Sequence, residues 1–156
     1  MSNAMNYWLF KTEPDAFSID DLKTAPQQTT LWEGVRNYQA RNFMRDDIKL
    51  GDLVFIYHSS CKQVGVVGIA TVTKEAYPDP TQFDLNSDYY DAKATPDKPR
   101  WFVVEVTYKS HLNKRVSLKD IKANETITEL ALKKAGRLSV MPVTQNDWEQ
   151  IIAMSN

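Results

Sequence analysis

Residues 101–109 read WFVVEVTYK, and they are the clearest strand signal in the chain. Val104 and Val106 alternate with Glu105 and Thr107, and side chains two residues apart share one face of a strand. The stretch therefore predicts a β-strand that turns an apolar face toward a core. The segments on either side of it supply further strands and helices.

Four other segments have the composition of strands. Residues 6–11 (NYWLFK) are rich in strand formers, and residues 53–58 (LVFIYH) are apolar on both alternating faces, which predicts a buried strand. Residues 64–74 are rich in β-branched side chains and are interrupted by two glycines, which indicate a bulge or a tight bend of the kind that closes small barrels. The last and shortest segment is residues 138–141.

Three predicted helix starts share one capping pattern. In each, a hydroxyl residue is followed three positions later by an aspartate, so the hydroxyl accepts from a free backbone N–H and the carboxylate lies near the helix N-terminus. The three capping residues are Ser18, Ser117 and Thr144. A fourth helix is predicted over residues 37–48, whose apolar side chains fall within one arc at about 100° per residue.

These elements amount to about five strands and four helices. Most of the strands are joined by turns or loops rather than by regular helical crossovers, which favours an α+β fold over a Rossmann-like sheet. The prediction is a small mixed β-barrel with surrounding helices. The longest connection, residues 77–100, contains four prolines and five aspartates. A loop of that length in a small domain is predicted to be either functional or mobile.

Composition limits the class of protein. The chain has 156 residues, 42% of them hydrophobic and 25% charged, as in an ordinary globular domain. Residues 1–4 resemble an expression-tag remnant, so one domain is predicted over residues 5–156. No membrane span or secretory signal is evident and Cys61 is the single cysteine, which together predict a cytoplasmic protein. A net charge of −1 disfavours strong nonspecific binding to nucleic acid.

Polar residues concentrate in four clusters, each at the end of a predicted strand or the start of a predicted helix. Side chains and free backbone amides converge at such positions, so the clusters predict a ligand site. The clusters are residues 11–14 (KTEP), 32–38 (WEGVRNY), 57–62 (YHSSCK) and 136–139 (GRLS).

Several segments, taken in order, resemble the signatures of the EVE-domain family, including its thymocyte nuclear protein group. They are residues 32–42, 51–52, 57–62, 75–79, 89–91, 99–101 and 137–144. The resemblance implies a PUA-like fold related to YTH domains, with a pocket for a flipped or unpaired modified base. It also implies modified cytosine in DNA as the ligand, with modified RNA as the alternative. The chain departs from the family pattern at Thr12, where serine is usual.

The residue chemistry fits such a pocket. An extruded base is held by aromatic faces and by hydrogen bonds along its Watson–Crick edge, and each stacked base contributes about 1–3 kcal/mol. The predicted base-contacting residues are Lys11, Thr12, Trp32, Val35, Asn37, Tyr57, His58 and Ser59. Cations near the pocket would position the phosphates. The predicted phosphate-contacting residues are Arg36, Arg41, Arg45, Lys62 and Arg137.

Several of these residues also have a purely structural interpretation. Trp32 is compatible with a core position as well as with a stacking platform. The arginines of residues 37–48 are typical of a solvated helix face. Arg137 follows Gly136, a predicted helix C′ residue, where a cation favours the helix dipole.

Three functions are compatible with the sequence. The first is a non-enzymatic reader of a modified nucleobase, and the second is an enzyme that acts on a nucleotide or small molecule through His58 and Cys61. The third is an adaptor that recruits an effector protein to modified nucleic acid. The thiol–imidazole pair lacks a visible orienting group, and three His and Cys residues are too few for a structural zinc site. We therefore expect a monomer that binds nucleic acid, with no catalytic residue, metal, cofactor or membrane contact.

Overall fold

The structure of the protein, a computed structural model, describes residues 6–134 and 137–156. Within these residues the strands are β1 (Tyr7–Thr12), β2 (Thr29–Leu31), β3 (Leu53–His58), β4 (Gly65–Pro78), β5 (Phe102–Ser117) and β6 (Val140–Val143). They form one mixed sheet in the order β2-β5-β4-β3-β1-β6, in which β1 and β3 are parallel and the other pairs are antiparallel. The predicted tag remnant and Gly136 lie outside the described residues.

The α-helices lie between and after these strands, which confirms the α+β class. They are α1 (Ile19–Thr24), α2 (Tyr38–Asn42), α3 (Leu118–Ala123) and α4 (Gln145–Met154). Short 3-10 turns cover Pro26–Gln28, Pro80–Phe83 and Ala131–Lys133. Across the described part of the chain, no helix has the length and apolar character needed to cross a bilayer.

The three predicted helix caps are confirmed. Ser18 accepts a hydrogen bond from the backbone N–H of Asp21, whose carboxylate accepts from the N–H of Ser18 in return. Ser117 and Thr144 accept in the same way from the N–H groups three residues on. Local sequence was sufficient here because a cap joins atoms only three residues apart.

The helix predicted over residues 37–48 is only partly correct. The α-helical turn ends at Asn42, and the chain continues as a π-helical turn over Phe43–Asp47, closed by a bond from the Ile48 N–H to the Phe43 carbonyl at 2.9 Å. The apolar arc itself is confirmed, since Ala40, Met44 and Ile48 are all buried.

The long strands β4 and β5 pair along most of their length, with several register shifts. The shifts next to Gly68 confirm the predicted bulge. A Cβ atom on Gly68 would lie 2.8 Å from both the Ile19 Cδ1 atom and the Ser110 carbonyl oxygen. Only glycine therefore lets Ile19, the first residue of α1, pack directly on this strand.

The edge strand β2 was not predicted. It has three residues and pairs with β5, where the Thr29 and Thr107 hydroxyls lie 2.7 Å apart. The ladder continues past the strand, because the Trp32 N–H donates to the Val104 carbonyl at 2.9 Å. So short an element has no periodicity of its own, and its pairing with β5 alone defines it.

Candidate functional site

A cavity of about 400 Å³ lies at the end of β1. Two backbone bonds bring three loops together there: the Lys11 N–H donates to the Ser139 carbonyl, and the Ser59 N–H donates to the Thr12 carbonyl. The segment that follows β2 forms the remaining wall. A volume of this size is typical of sites for small molecules, and all four predicted polar clusters contribute residues to its lining.

The apolar side of the cavity is built on Trp32. Its indole is 7% exposed and packs against Phe10, with ring centroids 5.3 Å apart, and edge-on against Phe17 at 6.3 Å. The ring belongs to the core and also lines the cavity, so its core position is confirmed and its stacking on a base stays a prediction. Val35 and Leu31 extend the apolar surface on either side of it.

The polar side of the cavity contains hydroxyl groups with different hydrogen-bonding states. The Thr12 hydroxyl donates to the Phe17 carbonyl at 2.7 Å, so toward a ligand it is left as an acceptor. In the part of the chain that the structure describes, the hydroxyls of Ser59 and Ser139 form no hydrogen bond. These two groups are therefore available both to donate to a ligand and to accept from it.

Three ionisable side chains line the same cavity: Lys11, Glu13 and Glu33. Burial lowers the pKa of Lys11 from its usual value, and the ammonium lies 5.8 Å from the centroid of the Tyr57 ring. Burial raises the pKa of Glu33, and the nearby charge of Asp79 raises it further, while Arg36 opposes both effects. Glu33 was not predicted as a site residue, although it lies between Trp32 and Gly34 in the second polar cluster.

The wall next to Glu33 is held in place by Asp79. This carboxylate is fully buried and accepts from the Gly34 N–H at 2.9 Å and from the Thr81 N–H at 2.8 Å. Gly34 has φ +82°, and a Cβ there would lie 2.6 Å from the Tyr89 ring. The close approach of Tyr89 and the left-handed backbone both require glycine at this position.

Arg36 completes the same network. Its guanidinium donates to the Asp79 carboxylate at 3.0 Å and to the Val35 carbonyl, and its other terminal nitrogen donates to the Thr81 hydroxyl and the Tyr89 carbonyl. The aromatic rings of Tyr89 and Trp101 each have their centroid 5.4 Å from the guanidinium carbon. Both terminal nitrogens are engaged within the protein, which gives Arg36 a structural role, and its contact with phosphate stays a prediction.

The long connection between β4 and β5 is ordered by two further side chains. Gln82 is fully buried and bonds backbone groups at both ends of the connection: its amide nitrogen donates to the carbonyls of Asp79 and Trp101, and its oxygen accepts from the N–H groups of Arg100 and Trp101. Asp91 accepts from the Trp101 indole N–H at 2.8 Å, which holds its pKa below the usual range. The segment is thus tied to the fold at several points.

Three predicted base-contacting residues do not line the cavity, so their contact with a base stays a prediction. The Asn37 side chain caps α2 by accepting from the Ala40 N–H at 2.9 Å. Tyr57 is 2% exposed within the core, and burial raises its pKa to about 12. The Nε2 atom of His58 accepts from the Ile19 N–H at 3.1 Å, and burial lowers its pKa. The other predicted base contacts, Lys11, Thr12, Trp32, Val35 and Ser59, all line the cavity.

The remaining predicted phosphate contacts divide into two groups. Arg41 donates to the Asn42 side chain and the Arg100 carbonyl and lies over the Tyr38 ring, while Arg45 forms two hydrogen bonds with Asp46. Neither lines the cavity. Lys62 and Arg137 are exposed, three residues after Ser59 and two residues before Ser139, respectively. Contact of these two side chains with phosphate at the rim of the cavity therefore stays a prediction.

The family assignment follows from the whole chain rather than from this cavity alone. The model of the EVE domain matches residues 6–154. The chain belongs to the EVE-domain family. Rat thymocyte nuclear protein 1 is 41% identical over 97% of this chain and 74% of its own length. The resemblance seen in the sequence motifs is thereby confirmed.

Solved structures of EVE-domain relatives superpose closely on this chain. A Pseudomonas putida protein is 48% identical, with a TM-score of 0.91 over 96% of this chain and 99% of that one. The human THYN1 protein, solved in complex with 5-methylcytosine containing DNA, is 38% identical, with a TM-score of 0.94 over 97% of this chain and 98% of that one. These matches confirm the predicted fold.

Proposed function

We propose that this EVE-domain protein binds DNA that contains a modified cytosine and takes the modified base into the cavity beside Trp32. The observation that carries the proposal is the match to the human THYN1 protein in complex with 5-methylcytosine containing DNA, which extends over 97% of this chain at a TM-score of 0.94. At that level of similarity the backbone that surrounds a bound base is expected to be shared.

The cavity itself supports the proposal. It has the volume of a small-molecule site, one wall of aromatic and aliphatic side chains, and hydroxyls that are not engaged within the described residues. A flipped base needs these elements, because its faces require apolar contact and its edge requires donors and acceptors. Val35 and Leu31 offer the apolar contact that a 5-methyl group on a pyrimidine would gain.

The proposed role is binding without catalysis. The enzyme hypothesis depends on His58 as a base for Cys61, but the His58 Nε2 atom already accepts from the Ile19 N–H. In the neutral ring the proton then lies on Nδ1, so neither nitrogen offers a free lone pair to the thiol. This hydrogen bond gives His58 a structural task in positioning the start of α1.

The binding mode proposed is recognition of one extruded or unpaired base. With a net charge of −1 and three of the five predicted phosphate contacts engaged elsewhere in the protein, few cations are available to grip a long duplex. We expect Lys62 and Arg137 to contribute phosphate contacts at the rim. Each contact of this kind adds roughly one to the slope of log affinity against log salt, so the slope should be shallow.

The test is a panel of labelled oligonucleotides that differ only at one central cytosine, which is plain, 5-methylated or 5-hydroxymethylated, with an RNA set as a further arm. Fluorescence anisotropy gives the dissociation constants, and quenching of tryptophan fluorescence reports contact with Trp32. Tighter binding to a modified strand than to the plain strand is expected. Equal affinity across the panel would overturn the proposal.

A further inference from the structure

We infer that Glu33 selects bases that carry an amino group, so that the cavity takes cytosine-type rather than thymine-type pyrimidines. The inference rests on the proposed function and adds to it a residue that distinguishes two bases with the same 5-methyl group. It begins from the position of Glu33 in the cavity lining, between two residues whose backbone is fixed.

The backbone on both sides of Glu33 is held by hydrogen bonds to distant segments. The Trp32 N–H donates to the Val104 carbonyl at 2.9 Å, and the Gly34 N–H donates to the buried Asp79 carboxylate at the same distance. These bonds restrict where the carboxylate of Glu33 can lie. They fix the backbone from which the exposed Glu33 side chain reaches the cavity lining.

The carboxylate of Glu33 is an acceptor without a donor. Within residues 6–134 and 137–156 it accepts no hydrogen bond, and its pKa is raised by burial and by the charge of Asp79. The nearby Arg36 does not serve it, because both terminal guanidinium nitrogens are engaged by Asp79, Thr81 and backbone carbonyls. Glu33 is an exposed residue whose carboxylate is only partly desolvated, so a bound ligand that donates a hydrogen bond would replace water at that carboxylate.

The charge of the cavity lining favours a neutral ligand over an anion. Two glutamates and one lysine line the cavity, which disfavours a phosphate or another anion inside it. A neutral base with an exocyclic amino group provides the missing donor, and carboxylates accept from the N4 amino group of cytosine when proteins recognise that base.

The comparison of 5-methylcytosine with thymine isolates this contact. The two bases share the 5-methyl group and the O2 atom, but cytosine has an amino group at C4 and an acceptor at N3, whereas thymine has an oxygen at C4 and a hydrogen on N3. Beside thymine O4 the carboxylate of Glu33 would face another acceptor, and the pair would repel. The amide of a glutamine would accept from the amino group or donate to O4 equally well.

The experiment measures the affinity of the full chain for single strands that differ only in a central 5-methylcytosine, cytosine or thymine. Single strands remove the difference in pairing energy between the bases. We expect wild-type protein to prefer 5-methylcytosine over thymine by about tenfold or more, and Glu33→Gln to reduce that ratio to within about twofold. Glu125→Gln is the matched control, since it removes an exposed carboxylate that does not line the cavity and should leave the affinity and the ratio unchanged.

The dependence on pH supplies a second readout. The carboxylate form of Glu33 is the species that accepts from the amino group, and its raised pKa means that it is protonated at a higher pH than an ordinary glutamate. Asp79 and Arg36 set that pKa, and Lys11 and Glu13 share the cavity lining. The wild-type preference should therefore fall as the pH is lowered and Glu33 becomes protonated, at a higher pH than an ordinary glutamate would, and the preference of Glu33→Gln should change less.

The outcomes separate the two proposals. If wild-type protein binds 5-methylcytosine no better than cytosine, the proposed function fails and the role of Glu33 fails with it. If wild-type protein prefers 5-methylcytosine over cytosine but Glu33→Gln keeps the full ratio over thymine, the role of Glu33 alone is overturned. Thermal unfolding of each variant, monitored by circular dichroism, verifies that the substitutions leave the fold intact.

Discussion

Two neighbouring regions of this protein have similar composition and opposite hydrogen-bonding states. In the connection between β4 and β5, Asp79, Gln82 and Asp91 are all engaged by backbone or side-chain partners. In the adjoining cavity, Glu33 and two serine hydroxyls have no such partners among the described residues. Both regions carry EVE-domain signatures, so membership of a signature does not distinguish a structural residue from a ligand-binding one. The two kinds of residue are distinguished by whether their hydrogen-bond donors and acceptors already have partners within the protein.

The largest expected loss of stability is in the connection between β4 and β5, where the polar side chains are hydrogen-bonded. Asp79→Ala removes the acceptor for Gly34, Thr81 and Arg36 and leaves a guanidinium without its counter-ion, so the free energy of unfolding should fall by about 3–5 kcal/mol. Urea denaturation monitored by tryptophan fluorescence measures the loss. Asp84→Ala, at an exposed aspartate of the same connection, should change stability by no more than about 0.5 kcal/mol. Similar losses in the two variants would contradict the distinction between the regions.

A smaller effect is expected where the two regions meet. Gly34→Ala must accept a positive φ and displace the Tyr89 ring, and we expect a loss of about 2–3 kcal/mol. Gly51→Ala is the matched control, because its φ is +89° but no atom lies within 4 Å of the added Cβ, so it should lose only about 1 kcal/mol.

The role of the Tyr89 ring is then checked by making both glycine substitutions in Tyr89→Ala protein. In Tyr89→Ala protein the difference between the two glycine variants should shrink, since the obstructing ring is gone. If the difference in unfolding free energy persists unchanged, the close approach of Tyr89 is not what requires glycine at position 34.

The smallest expected effect on stability comes from a cavity residue, whose substitution should reduce binding instead. Ser59→Ala removes a hydroxyl that no described residue engages, so stability should change by less than about 0.5 kcal/mol, while affinity for the modified strand falls by about 3–10-fold. Ser117→Ala removes the cap of α3, so it should lose about 1 kcal/mol of stability and bind normally. A stability loss in Ser59→Ala without a loss of affinity would assign that hydroxyl to the fold instead.

Much of the fold was predictable because its signals are local. The three hydroxyl caps, the alternation in β5 and the continuous apolar run of β3 each depend on residues within a few positions of one another. The edge strand β2 and the π-helical turn at Phe43–Asp47 were missed. The first exists only through its pairing with β5, and the second differs from an α-helix by one residue per hydrogen-bonded turn.

The cavity was predictable in outline but not in its chemistry. The sequence by itself determined that polar clusters follow strand ends, and this was enough to assemble Lys11, Thr12, Trp32 and Ser59 around one volume. The tertiary structure alone decided which of the remaining polar side chains are already engaged. Arg36 and Asp79 pair across 43 positions, so no local pattern reveals that the arginine is engaged or that the adjacent Glu33 is not. A hydrogen bond depends on distance in space, and only the folded chain specifies that distance.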